Sequence, residues 1–168
     1  MNDAEASLLL PDVLFPARYQ LRWGITLRDA SAVLGIGPRA YDSYRIIKED
    51  KEKEPYRVDF MFDDSGLYCI QTVLQASRWF EDAELQEVVE GALEAFHVEY
   101  DRLVARYRTV LGDPNFQGTM SEGGFPDYIE SLRATYWDTP FARFVVSLEQ
   151  QAYDVPITIS ISCLKQSD

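Results

Sequence analysis

Apolar residues recur at helical spacing over one long stretch, Asp82 to Gly112. Stepping 100° per residue gathers Leu85, Val88, Val89, Ala92, Leu93, Phe96, Tyr100, Leu103, Val104, Tyr107, Val110 and Leu111 on one arc. Glu84, Glu87, Glu90, Glu94 and Asp101 fall opposite. This pattern predicts a helix laid on a core. Asp82 suits the N-cap, where a carboxylate accepts from the unpaired N–H groups of the first turn. Gly112 suits the left-handed residue that ends a helix, and Pro114 blocks its resumption. Acids crowd the first half and Arg102, Arg106 and Arg108 the second, an order the helix dipole favours.

The remaining pattern is shorter in range. Residues 1–22 read as a lead-in, with Leu8 to Leu10, Val13 and Phe15 as candidates to pack on the body. Thr26 then caps a short helix with Leu27, Ala30, Val33 and Leu34 inward and Gly35 as terminator. Three strands are predicted next, at 40–47, 57–62 and 67–75. The run KEDKEKEP at 48–55 is a solvated hairpin tip, and Asp63-Asp64-Ser65-Gly66 is a tight turn. Trp79 and Phe80, just before Asp82, suit a hydrophobic staple at the helix start; the alternative is an exposed aromatic anchor. Residues 112–127 carry no periodicity and read as a long loop, either mobile or in contact with a partner. Strands follow at 132–137, 142–149 and 155–163. In the last, Val155, Ile157, Ile159, Ile161 and Cys163 alternate with Pro156, Thr158, Ser160 and Ser162, which predicts a sheet buried on one side and wet on the other.

The order of elements repeats. A helix, a Val-Leu-Gly exit, a nearby proline and three strands occupy 23–75 and again 82–164. The predicted fold class is therefore α+β, a single domain over 1–168. It holds two α-β-β-β units, with the long central helix packed on one face of an antiparallel sheet. The other sheet face is expected to be partly open for contact.

Charge narrows the function classes. The chain of 168 residues carries a net charge of −12, from 28 acids against 16 Lys and Arg. Residues 81–130 hold 12 of the acids and only three arginines. A surface of this sign repels nucleic acid and anionic membrane, so neither is an expected partner, whereas a basic protein is. No run is long enough to span a bilayer. The N-terminal apolar run, LLLPDVLF at 8–15, is broken by Pro11 and Asp12 and preceded by Asp3 and Glu5, unlike a secretory signal. The expected location is the cytoplasm. There the two cysteines, Cys69 and Cys163, are a buried reduced pair by default and a disulfide only if their strands adjoin.

Candidate chemistry is sparse. His97 is the single histidine and sits at the edge of the apolar arc, a structural position first. No Gly-x-Ser-x-Gly elbow, Rossmann fingerprint or Walker sequence is present, and Gly123-Gly124 is followed by no lysine. One histidine and two distant cysteines do not make a zinc site, and Asp63 and Asp64 lack the further ligands of a calcium loop. No metal, cofactor or catalytic residue is expected.

The element order, the Leu-Gly exits followed by Pro38 and Pro114, and the acidity together resemble the small two-layer α+β binding folds. The beta-lactamase-inhibitor-protein-like group is one such, and compact acidic bacterial immunity proteins that neutralise secreted toxins are another. The resemblance covers the chain after residue 23. It implies a non-catalytic protein that blocks a cognate basic toxin domain by occlusion. Expected steering acids are Glu84, Glu87, Glu90 and Glu94 on the helix, with Glu122 and Asp127 on the long loop. Expected aromatic anchors are Tyr128, Tyr136, Trp137 and Tyr153, for which ordinary sheet packing is the competing role. A secretion chaperone or adaptor, dimeric by expectation, and a small-molecule-binding domain are the alternatives.

Overall fold

The computed structural model describes residues 14–36, 44–49, 57–80, 86–126, 131–152 and 155–166. The protein is of the α+β class. Two helices, α1 (Leu27–Leu34) and α2 (Gln86–Leu111), accompany seven strands: β1 (Arg45–Glu49), β2 (Arg57–Asp63), β3 (Gly66–Ala76), β4 (Phe116–Thr119), β5 (Arg133–Asp138), β6 (Ala142–Glu149) and β7 (Thr158–Lys165). They form one antiparallel sheet in the order β1-β2-β3-β7-β6-β5-β4. The chain divides into two compact units, Met1–Val73 with Thr139–Arg143 and Ser162–Asp168, and Leu74–Asp138 with Phe144–Ile161.

In the first unit, β1, β2 and β3 bring Ile46, Phe60 and Ile70 side by side, all fully buried. The register slips between Met61 and Phe62, so Phe62 pairs with Leu67 and both still face this core. The slip is what a bulge does: one extra residue on β3 restores the inward face after the turn. A 3₁₀ turn at Pro16–Tyr19 precedes α1. The Tyr19 ring stands edge-on to Phe60 at 4.8 Å, with the Lys48 ammonium 5.4 Å from the Tyr19 centroid. Leu14, Pro16 and Leu21 are the buried residues of this segment, whereas Phe15, expected to pack, is only half-buried.

The caps of α1 are those expected. Thr26 Oγ1 accepts from the Asp29 N–H at 3.2 Å, and Gly35 ends the helix at φ +67°. Its inward face is shifted, however. Ala30 and Ser31 are buried and Val33 is exposed. The Ser31 hydroxyl donates to the Leu27 carbonyl at 2.7 Å, which satisfies it without water. At the β2–β3 turn Asp63 Oδ1 accepts from Ser65 N–H and Oγ at 2.7 and 2.6 Å, and Gly66 adopts φ +96°. Only glycine fits there, because a Cβ would stand 2.4 Å from the Gly24 carbonyl oxygen.

The second unit contains α2. Val89, Phe96, Tyr100, Val104 and Tyr107 form its buried face, as the apolar arc predicts; Val88, placed on that arc, is exposed. Asp82 and Leu85 lie outside the described residues. Phe80 is buried and Trp79 is exposed. Within 112–127 the structure has a strand, β4, where a structureless loop is expected. It pairs with β5 from Phe116↔Tyr136 to Thr119↔Arg133.

The wet sheet face expected of the C-terminal strands is not there. In β6 Phe144 through Leu148 are buried without a break, and in β7 Ile159 through Cys163 are. Serine is what misleads the alternation. Ser147, Ser160 and Ser162 are small, and a hydroxyl needs only one local partner, as Ser147 has in Glu149 at 2.6 Å. The predicted start of this last strand, at 155, moves to Thr158, and 40–43 of the first predicted strand lie outside the described residues.

Candidate functional site

The second unit holds both the acidic helix face and most of the polar side chains that could do chemistry. Tyr100 points from α2 to β5, where its hydroxyl lies 2.7 Å from Thr135 Oγ1; both residues are fully buried. Arg133, two residues earlier on the same strand and face, lays its guanidinium over the Tyr100 ring at 4.5 Å. Its Nη2 donates to Asp101 Oδ1 at 2.6 Å and its Nη1 to His97 Nδ1 at 3.3 Å. His97 thus accepts through Nδ1, which calls for the neutral ring. Desolvation first, and the Arg133 charge second, hold its pKa below the ordinary histidine value, against the opposite pull of Asp101 and Glu94. Burial pushes the Tyr100 phenol up to about 12.

These contacts make the cluster a clasp between helix and strand. The arginine charge is met by a carboxylate, an imidazole nitrogen and a ring, and the phenol stays protonated near neutral pH. Strand alternation explains the geometry, since Arg133, Thr135 and Trp137 share one face of β5. Trp137 completes the row. It is 1% exposed, donates from Nε1 to the Gly112 carbonyl at 3.0 Å and meets the Tyr107 ring edge-on at 6.3 Å. Its expected role as a partner anchor is therefore corrected: its ring belongs to the core that ends α2.

On the reverse face of β5, Tyr136 stacks on Phe116 at 5.6 Å, and Phe125 meets Phe116 edge-on at 6.1 Å. Tyr136 keeps part of its surface open. Glu122 is exposed, but its carboxylate is engaged: Oε1 accepts from the Thr119 N–H at 3.2 Å and hydroxyl at 3.0 Å. It closes the turn after β4 rather than standing open on a mobile loop. Gly118 makes room for this, as a Cβ there would meet Glu122 Oε2 at 2.7 Å and the Phe116 ring at 2.8 Å.

Of the other steering acids, Glu87, Glu90 and Glu94 are exposed on α2. Their spacing of three and four residues gathers them on one side of the helix. Glu84, Asp127, Tyr128 and Tyr153 lie outside the described residues.

The first unit carries a polar cluster that the sequence reading passes over. Asp59, buried on β2, accepts from Arg57 Nε at 2.8 Å and from Arg45 Nη2 across the β1–β2 ladder. The signal was available, since Arg57 and Asp59 share a strand face and Arg45 lies one strand away. Cys69 and Cys163 sit on the neighbouring strands β3 and β7, both buried and neither in a disulfide. Burial, then the nearby Cys69, pushes the Cys163 thiol up, which removes the thiolate a nucleophile needs. Among the described residues no three His, Cys, Asp or Glu side chains converge to hold a metal, and no helix is long and apolar enough to cross a membrane.

No protein family, curated protein or solved structure matches this chain. The functional reading rests on its own geometry.

Proposed function

We propose that this chain is a non-catalytic acidic binding protein, concretely a cytoplasmic immunity protein that neutralises a cognate bacterial toxin by occluding its active site. One observation carries the reading. Glu87, Glu90 and Glu94 stand exposed along a helix that the Tyr100–Thr135 and Trp137–Gly112 bonds clasp to β5. A rigid acidic row draws a basic surface at long range and fixes its orientation on arrival. Tyr136, half-open on the reverse face of β5, is the aromatic contact position among the described residues, with Glu84, Asp127, Tyr128 and Tyr153 as the further contact positions. The duplicated α-β-β-β plan belongs to the same proposal. Its support is the element order, in which each helix is followed in sequence by consecutive strands, three after α1 and four after α2.

The experiment is capture from the native host with the full chain as bait, followed by stopped-flow association at rising salt. A folded basic toxin domain retained at one-to-one stoichiometry is the expected result. Its association rate should fall steeply as the Debye length shrinks from about 10 Å at 0.1 M to about 3 Å at 1 M salt. Failure to retain any stoichiometric protein sinks the proposal; a rate indifferent to salt removes the steering part alone.

A further inference from the structure

Arg133 joins α2 to β5 through two groups that respond differently to acid. A guanidinium can only donate, so His97 Nδ1, 3.3 Å from Nη1, presents a lone pair and the neutral ring carries its proton on Nε2. Nη2 holds Asp101 Oδ1 at 2.6 Å. The charged groups that face His97 are Arg133 from β5 and Asp101 and Glu94 from its own helix. These acids stand four residues after the histidine and three before it, the spacings at which side chains on one helix meet. Protonation of the ring therefore does two things at once. It turns the acceptor at Nδ1 into a cation opposite another cation, and it gives Asp101 and Glu94 a positive neighbour on their own helix. Asp101 is the shared element: it serves Arg133 when the ring is neutral and the imidazolium when the ring is charged.

We propose that His97, Arg133 and Asp101 form an acid-released latch between α2 and β5. Closed, Arg133 ties the helix to the strand through both His97 and Asp101. On protonation Asp101 passes to the imidazolium, Arg133 loses its imidazole contact, and the helix pairs its own charges while the strand lets go. Desolvation first, then the Arg133 charge, keep the ring neutral until the pH is below the ordinary histidine value of 6.5, so the latch is closed at neutral pH. The Tyr100–Thr135 bond takes no part in this titration, because the phenol is held up to about 12, and the release is local. Since α2 also carries Glu87, Glu90 and Glu94, the latch governs how firmly that row is presented. This consequence rests on the toxin-neutralising reading; the latch itself does not, and its test contains no partner, so the two fail separately.

The test is nuclear magnetic resonance of the full chain between about pH 8 and about pH 5, the range in which histidine changes charge. The chain has one histidine, so its ring signals are unambiguous. At neutral pH the ring should carry its proton on Nε2, and the two Nη signals of Arg133, identified by their loss in Arg133→Gln, should be distinct. They should merge along the His97 titration. Exchange of the α2 amides around His97 should quicken at least about tenfold beyond its intrinsic pH dependence, the equivalent of one hydrogen bond to a charged group. In His97→Asn an amide oxygen replaces Nδ1 and takes no proton, so the Arg133 signals and the α2 exchange should hold steady over the same range. Arg133→Gln should raise the His97 pKa and Asp101→Asn should lower it. A neutral ring protonated on Nδ1 overturns the proposal. So do Arg133 signals that ignore the His97 titration, or an acid response of α2 that persists unchanged in His97→Asn.

Discussion

Removing one oxygen atom tests how α2 is held. Tyr100→Phe keeps the ring, its burial and its stacking beneath Arg133, and deletes only the hydroxyl that lies 2.7 Å from Thr135 Oγ1. Both partners are fully buried, so the Thr135 hydroxyl is left without its bond in a place water does not reach. The expected loss is about 1–3 kcal/mol, set mainly by that stranded group rather than by the bond itself. Thr135→Val should cost a similar amount by stranding the phenol. The double variant, with both polar groups gone and both shapes kept, should lose well less than the sum of the two single losses, with a coupling of about 1–2 kcal/mol. Urea titrations followed by fluorescence suit the measurement, because Trp137 is buried on the same strand face.

An alkaline arm checks the same site independently. The Tyr100 phenol is raised from 10 to about 12 in the folded protein, so folding favours its neutral form. Its contribution is complete below pH 10 and is lost as pH rises from there through about 12, by up to about 3 kcal/mol at 1.36 kcal/mol per pH unit. Tyr68 and Tyr107 are also raised and contribute in both proteins, so the difference between wild type and Tyr100→Phe isolates this residue. Losses that simply add across the cycle, or alkaline curves that run parallel, would refute the clasp.

Three further outcomes follow from the same geometry. Gly66→Ala should destabilise by at least about 1–3 kcal/mol in denaturant titration, since the new methyl meets the Gly24 carbonyl and the backbone sits at φ +96°. Asp59→Asn should cost about 1–3 kcal/mol, less than a fully buried pair would, because Arg45 and Arg57 keep over a third of their side-chain surface in water; high salt rescuing none of the loss would confirm that the carboxylate itself is shielded. Stability should fall as pH drops below 6.5 towards the lowered folded pKa of His97, because the folded state prefers the neutral ring. His97→Gln should flatten that part of the pH profile in thermal melts.

Much of the architecture follows from local rules. Thr26 and Gly35 bracket α1, the Asp63–Gly66 turn joins β2 to β3, and the alternation of Phe144, Val146 and Leu148 marks β6 with the bounds predicted, Ala142–Glu149. Each depends on residues a few positions apart, which a single sequence displays. β4 escapes the same rules because four residues are too few to show alternation and Gly118 in the third place weakens what Phe116 and Thr119 favour; it exists through its ladder to β5. The candidate site divides the same way. Glu87, Glu90 and Glu94 are exposed as helical periodicity requires, while the role of Trp137 is decided by a partner 25 positions away, at Gly112.

By itself, then, the order of residues determines this protein's class, its charge, the greasy and acidic sides of its long helix and most strand positions, because those are matters of period and composition. Tertiary structure alone decides that serines lie buried in the central strands and that Arg133 reaches back to Asp101, His97 and the Tyr100 ring. The partners of Arg133 and Tyr100 lie more than thirty positions away and are brought close only when helix and sheet are assembled.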